Sequence, residues 1–349
     1  MEYHRSKTAH KADVVCPVPE SVRRYQFVPK NFDPKAKPSL VGFMSPLIDG
    51  AFAPDRTSGN EEQCMEGRIN SVKPKELKLT PFLAHAMDDF CRMLIPDDLK
   101  NTLDPTDDDE VLRRQPKPTQ RRLFAAAHGM LPKRVINMFM KAEPYANVKD
   151  PRAISVINTV DKRQYSRYMY AFEKILKGQP WYAFSHQPRD IAARVAKILA
   201  QALMATNTDF NRFDGHGSNL MRDLEKQLLL RAFRTEHHQE LLDLHRGQFN
   251  LKAYASFDNP ETGKTNSYQT DYTRASGSPE TSIFNSLVNS FVAFLALRMT
   301  KTDGIFNTPE EAFSKLGIYG GDDGLTADVA PQEYTKAAAM IGQQLTVEP

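Results

Sequence analysis

The sequence predicts a mixed α/β or α+β fold. Three segments carry apolar residues at helical spacing, a short strand-like run ends in acidic residues, and two further strand-like runs flank an Asn-Pro-Glu-Thr-Gly turn, so helices and strands interleave. At 349 residues the chain exceeds the roughly 250–300 residues at which single cores stop growing, which points to two or three subdomains.

Residues 1–75 are rich in Pro, Lys and Ser, with short apolar runs such as Leu40–Met44, and read as an extended arm. Phe82, Leu83, Ala86, Phe90, Met93 and Leu94 then share one face of a helix over about 82–95, closed by Pro96. The acidic run Asp104–Glu110 reads as a solvated loop. Tyr165, Tyr168, Met169, Phe172, Ile175 and Leu176 predict a second helix, and Ile191, Val195, Ile198, Leu199, Ala202 and Leu203 a third, with Gly178 and Pro180 breaking between them. A short strand over Thr206–Phe210 comes next. Ser218 is a plausible cap for the following helix, where Leu220, Leu224 and Leu228 recur at spacing four. Ala253–Phe257 and Ser267–Thr273 predict a hairpin, and a last helix is predicted over about 332–341.

Composition is that of an ordinary globular protein, 40% hydrophobic and 26% charged with a net charge of +3, so only local charge can identify a partner. Cys16, Cys64 and Cys91 are odd in number, widely spaced and free of any CxxC pair, which argues against a disulfide framework and a zinc site and fits a reducing compartment. The N-terminus has no apolar core of a signal peptide. The long apolar stretch Ile283–Met299 is interrupted by Asn285, Ser286, Asn289 and Ser290, so neither a signal peptide nor a membrane span is predicted.

Four segments carry chemistry. Gly321-Asp322-Asp323-Gly324 puts two carboxylates in a tight turn, where adjacent side chains can both approach one ion as they cannot on a straight strand. An ordinary hairpin tip is the competing reading. Asp209 and Asp214, in Thr-Asp-Phe-Asn-Arg-Phe-Asp-Gly, fall at a strand end and at the turn into a helix. Bringing Asp209 against Asp322 would cost several kcal/mol at intermediate dielectric unless cations sat between them, whereas two surface aspartates near a helix N-terminus need no ion.

In Ser276-Gly277-Ser278-Pro279-Glu280-Thr281-Ser282-Ile283-Phe284-Asn285, Ser278 can cap a helix beginning at Pro279. Thr281, Asn285 and Asn289 share a polar stripe able to bond a sugar hydroxyl or, alternatively, neighbouring backbone. Lys141, Lys149 and Arg152 lie in a loop suited to a triphosphate, though a solvated loop also accounts for them. Arg113, Arg114, Lys117, Arg121 and Arg122 open a stretch to Arg134 without an acidic residue, which could grip a nucleic-acid backbone or form an exposed helix face. His216, His237, His238 and His245 lack metal-site spacing and read as surface residues.

Taken in order, the basic loop, Asp-x4-Asp, Ser-Gly-x3-Thr-x3-Asn and Gly-Asp-Asp resemble motifs F, A, B and C of the RNA-directed RNA polymerases of positive-strand RNA viruses, over about residues 141–328. Asp-Phe-Asn-Arg-Phe-Asp-Gly and Ser-Gly-Ser-Pro-Glu-Thr-Ser look most like nodavirus-like replicases, with tombusvirus-like enzymes as near relatives.

The resemblance implies a right-hand polymerase with fingers and palm and a truncated thumb. The arm would span 1–75, fingers with motif F 76–203, palm with motif A 204–235, a fingers/palm insertion 236–267, and palm with motifs B, C and the start of D 268–349. Asp209 and Asp322 would hold two Mg²⁺ ions with Asp323 assisting, Mn²⁺ being able to substitute. Asp214, Thr281 and Asn285 would read the ribose, with Ser276 and Gly277 in a flexible loop beside the template. Lys141, Lys149 and Arg152 would hold the triphosphate. The implied partners are an RNA template and product strand, NTPs, and other replicase domains or subunits, in host cytoplasm, with membrane association through regions outside this chain. The residues after Gly324 do not reach motif E or a thumb, and the expected motif D lysine is not evident near Thr346, so a core fragment is expected. A reverse transcriptase, or a non-catalytic RNA-binding replication scaffold, is the alternative.

Overall fold

A computed structural model describes residues 22–27, 32–38, 50–74, 76–259, 262–302 and 304–348. Two units are distinguished: 1–67 with 139–153 and 255–266, and 68–138 with 154–254 and 267–349.

In the first unit, strand β1 (Arg23–Tyr25) pairs in parallel with β2 (Phe52–Pro54), and Thr57 caps helix α1 (Ser58–Met65). Buried Glu61 on α1 accepts the backbone N–H groups of Ser256 and Phe257 at 3.1 and 2.9 Å. Where an extended arm was expected, the described part is thus folded. The Leu40–Met44 run and Cys16 lie outside the described residues.

The second unit begins with α2 (Pro81–Leu94), which Thr80 caps by accepting the Leu83 N–H; Pro81 fits the first turn because no intrahelical partner awaits its missing donor. Two short helices follow, α3 (Asp108–Arg114) and α4 (Pro118–Ala126). The acidic run is therefore not simply a loop. Asp107 caps α3, and carboxylates in a first turn are favoured by the helix dipole. Strands β3 (Ile136–Met140) and β4 (Ala153–Val156) precede the long helices α5 (Thr159–Lys177) and α6 (Pro188–Gln201).

Strand β5 (Ala205–Phe210) leads through a 3₁₀ turn at Phe213–His216 into α7 (Asn219–Ala232), where Ser218 Oγ accepts the Met221 N–H. Then come α8 (His238–Arg246), β6 (Lys252–Asp258) and β7 (Thr265–Gln269); β3, β4, β6 and β7 each run across a boundary of the two units, and within the second Ile136 and Asn137 pair in parallel with Ala253 and Tyr254. Helix α9 (Thr281–Met299) precedes a small β8 (Lys301–Thr302) and β9 (Ile305–Phe306) hairpin and helix α10 (Pro309–Ser314). Strands β10 (Ile318–Gly320) and β11 (Asp323–Ala327), helix α11 (Pro331–Met340) and β12 (Leu345–Glu348) complete the unit.

The sheet that matters has order β10-β11-β5-β12, all antiparallel. Its Thr206, Thr208 and Thr326 side is buried toward α9 and α11. On the opposite side Ile198 of α6 packs on Ile318 and Leu325 beside Ala205 and Ala327, and Ala183 and Phe184 approach Gly320. At the end of the sheet where β5 closes and β11 begins, Asp209 and Asp323 are exposed.

Helix α9 is buried all round through Ile283–Leu297, its polar residues Asn285, Ser286, Asn289 and Ser290 included. It is long and apolar enough to cross a membrane, yet here it is the central core helix, packed by α2, α10, α11, β10 and β11. Phe90 on α2 meets Phe291 and Phe294 with ring centroids 5.2 and 5.4 Å apart. The helix begins at Thr281 rather than at the expected Pro279, and Ser278 Oγ instead accepts the Glu280 N–H while donating to Gln248.

Candidate polymerase site

The end of the sheet that carries Asp209 and Asp323 is built by a two-residue hairpin. Gly320 pairs with Asp323, so Gly321 and Asp322 form the turn and Gly321 takes φ +74°, which favours glycine. The Asp323-Gly324 pair that signals a turn in sequence lies in the strand instead. Gly324 permits close approach: a Cβ there would fall 2.8 Å from Thr208 Oγ1 and 2.9 Å from Tyr319 Cδ1.

Helix α9 holds this hairpin from below. Asn289 Nδ2 lies 3.2, 3.0 and 3.1 Å from the carbonyl oxygens of Gly321, Asp322 and Asp323, and Ser286 Oγ accepts the Gly321 N–H at 2.8 Å. Beneath the strands a buried hydroxyl chain joins Tyr319, Thr326 and Tyr334, with separations of 2.8 and 3.1 Å.

The register between β5 and β11 pairs Gly324 with Thr208. One residue further on, it sets Asp323 across from Asp209 on the same exposed face. No side-chain hydrogen bond or ion pair holds Asp209 or Asp323 among the described residues, and both side chains are exposed. Asp322, at the turn, acts electrostatically on Asp214.

Asp214 sits half-buried in the 3₁₀ turn after β5. Burial raises its pKa above the usual aspartate value and the charge of Asp322 adds to the rise; the Asn285 hydrogen bond and the guanidiniums of Arg274 and Arg222 oppose it. Asn285 Nδ2 donates to Asp214 Oδ1 at 2.9 Å, while Asn285 Oδ1 is buried without a partner. Thr281 turns its hydroxyl back on the chain, donating toward Ala275 and Ser278 carbonyls at 3.0 and 3.1 Å. Ser276 and Gly277 are anchored on β4: Ser155 N–H donates to Ser276 Oγ at 3.0 Å, and Gly277 N–H donates to Ser155 O at 2.9 Å.

Within the first unit, Lys141 and Arg152 share Glu143, with Lys141 Nζ 2.8 Å from Oε2 and Arg152 Nη2 donating at 2.7 Å. Burial opposes ionisation of Glu143, but Arg152 and Lys141 overcome it and hold the carboxyl below its usual range. Lys149 is exposed over the Tyr145 ring at 5.1 Å. Among the other basic residues, Arg113 and Arg114 pair with Glu110, Arg121 donates to the Gln115 carbonyl, and Lys117, Arg121 and Arg122 are exposed.

The histidine reading needs correcting. His216 and His245 are buried, and His245 packs against a buried cluster of Arg222, Glu225, Arg274 and Glu280, its Nε2 beside Glu225. Nothing in spacing joins these five. The available signals were a charged residue, Glu280, at the start of an apolar helix, and Arg274 just before the Ser-Gly pair.

A carboxylate donor set suits a hard divalent cation, and Mg²⁺ usually takes only one or two protein carboxylates, with water and substrate phosphate completing its shell. Asp209, Asp322 and Asp323 fit that pattern. The tight three-ligand groups among the described residues lie elsewhere: in that of Glu225, His245 and Glu280 both carboxylates are already paired with arginines, and Asp104, Glu236 and His237 gather near Arg234 at the surface.

No protein-family model matches the chain. The fold is that of viral RNA-dependent RNA polymerases: that of a human picorbirnavirus aligns at TM-score 0.64 with 11% identity over 82% of this chain and 58% of its own, and its insertion-loop deletion mutant at 0.61. In sequence, the chain is a relative of the nodavirus RNA-directed RNA polymerases. It is 31% identical to that of greasy grouper nervous necrosis virus over 86% of this chain, 30% identical to that of striped jack nervous necrosis virus over 96%, and 30% identical to that of Flock house virus over 70%. It spans about a quarter to a third of these relatives' length, 30%, 34% and 24% respectively.

Proposed function

We propose that the chain is the core of an RNA-directed RNA polymerase, which joins NTPs to an RNA 3′-hydroxyl under direction of an RNA template during viral replication in the host cytoplasm. The observation that supports this most is the meeting of motif A and motif C: Asp209 and Asp323 opposed on one sheet end, with Asp322 at the adjoining turn. On this reading Asp209, Asp322 and Asp323 hold two divalent ions, Mg²⁺ or Mn²⁺. When bound, the ions supply activation of the attacking hydroxyl and charge stabilisation of the departing pyrophosphate.

The chain's own residues do the rest. Asp214 accepts from the ribose 2′-hydroxyl and Asn285, whose Nδ2 donates to that carboxylate, holds it in place, while Thr281 supports the loop beside them. Ser276 and Gly277 guide the template. Lys141, Lys149 and Arg152 bind the triphosphate, Glu143 keeping Lys141 and Arg152 oriented until phosphate competes for them. Arg113, Arg114, Lys117, Arg121 and Arg122 contact the RNA backbone, Lys117 and Arg122 most directly because Arg113 and Arg114 are engaged by Glu110 and Arg121 by the Gln115 carbonyl.

The test is Asp322→Asn, assayed for primed nucleotide incorporation and for RNA binding in parallel. Incorporation should fall by at least roughly 10²-fold while RNA affinity largely survives, as expected when charge stabilisation at a metal is lost. Full activity in the variant would remove Asp322 from the chemistry.

A further inference from the structure

Behind the Asp214–Asn285 pair lies a buried assembly that takes no part in the chemistry just described. Arg222 Nη1 donates to Glu225 Oε2 at 2.8 Å and to Glu280 Oε1 at 2.6 Å; Arg274 Nη1 donates to the same Glu280 oxygen at 2.8 Å, and its Nη2 pairs with Glu225. Tyr165 OH donates to Glu280 Oε2 at 3.0 Å, and His245 Nε2 lies 3.2 Å from Glu225. All six side chains are buried. Two guanidiniums against two carboxylates away from water contribute little net stability over an apolar core, but deleting one member strands a charge. What such a cluster can supply is fixed geometry.

The backbone it grips shows which geometry. Arg222 takes the carbonyls of Tyr272 and Thr273, each at 3.2 Å, and so holds the strand of chain that enters the Ser276-Gly277 loop. The next residue, Arg274, donates its N–H to the carbonyl of Asp214 at 2.9 Å. Glu280 stands immediately before α9, whose second turn presents Asn285. The cluster therefore ties down the backbone of one member of the Asp214–Asn285 pair and the helix start of the other, and touches the pair's side chains only through the long-range charge of Arg274 and Arg222 on Asp214.

We propose that Arg274 and Glu280 are positioning residues for ribose selection, the buried cluster setting the distance and register between the Asp214 turn and α9. The inference rests on the proposed sugar-reading role of Asp214 and Asn285. It extends specificity to residues that touch no substrate.

The experiment measures kcat/KM for UTP and for dUTP in primed single-nucleotide incorporation by the catalytically competent protein, in wild type, Arg274→Lys, Asn285→Ala and the double variant. Lysine keeps the charge but loses the two-pronged grip on Glu225 and Glu280. Arg274→Lys should lower the ribo-to-deoxy ratio roughly tenfold, mainly through UTP, and the double variant should discriminate no worse than Asn285→Ala, because both act through one pair. A proportional loss of UTP and dUTP incorporation in Arg274→Lys, or a further additive loss in the double variant, would overturn the proposal. An unchanged ratio in Asn285→Ala would instead overturn the sugar-reading role beneath it. Should Arg274→Lys fail to fold, Tyr165→Phe removes only the hydroxyl on Glu280; a ratio reduced about two- to threefold supports the proposal and an unchanged ratio in the folded variant overturns it.

Discussion

At the scale of single residues, Asp214 and Asn289 show how two positions of similar polarity do different work. Asp214 is held half-buried, with its carboxylate on Asn285, and the proposed function makes it the acceptor for a 2′-hydroxyl. Asp214→Ala should erode the preference for ribonucleotides over deoxynucleotides, measured by competing UTP and dUTP; an unaltered preference would remove the sugar-reading role. Asn289 shares the sequence stripe of Thr281 and Asn285, yet its amide is spent on the three carbonyls of the hairpin. Asn289→Leu should therefore strand those carbonyls, at a cost of about 1–3 kcal/mol each if left without water, and loosen the aspartate turn. Its checkable result is at least a tenfold fall in incorporation with RNA binding retained. The carboxylates and the polar stripe were legible in sequence because turn chemistry and helical spacing are local. The buried partners Arg222, Glu225, His245, Arg274 and Glu280 were not, since a lone charge in sequence reads as a solvated one until distant segments meet.

At the scale of elements, α9 does two jobs. Its apolar surface is the core, and its polar stripe carries Asn285 to Asp214 and Asn289 to the hairpin, so the site is indexed to the packing of one helix. The Phe90 contact with Phe291 and Phe294 anchors that packing. Phe90→Ala should cost about 3–5 kcal/mol of stability, read from the shift in denaturant midpoint. Strong periodicity made α2, α5, α6 and α11 readable within a few residues. Strand β12 was not readable, because its only credential is pairing with β5, where Leu345 meets Phe210 and Thr346 meets Asp209. Glycine at 321 allowed the hairpin, but the turn residues moved by two from the Asp-Gly signal because Asn289 and Ser286 fix where the bend falls.

At the scale of the whole molecule, stability should depend on acid in a way the buried cluster dictates. Burial disfavours a charged Glu225, but Arg222, Arg274 and the His245 hydrogen bond outweigh that and hold its carboxyl far below the usual range. A depressed folded-state value means the stabilisation is complete above the ordinary glutamate pKa of about 4.3 and is lost progressively as pH falls below it. Thermal midpoints measured downward from neutral pH should therefore stay level to about pH 5 and then drop, and Glu225→Gln should flatten that drop while lowering the plateau. The fold class was visible in the sequence, and the structural likeness to viral RNA-dependent RNA polymerases agrees with it. The division into two interleaved units was not visible, because each is assembled from three separate stretches of chain.

The account depends on Asp209 and the Asp322-Asp323 turn caging divalent metal together. Crystals of the protein grown with Mn²⁺ and an NTP, measured at the manganese absorption edge, test this directly. An anomalous peak about 2.1 Å from carboxylate oxygens of both Asp209 and Asp322 is the expected result. Manganese bound only elsewhere, with the two carboxylates apart and metal-free, would contradict it.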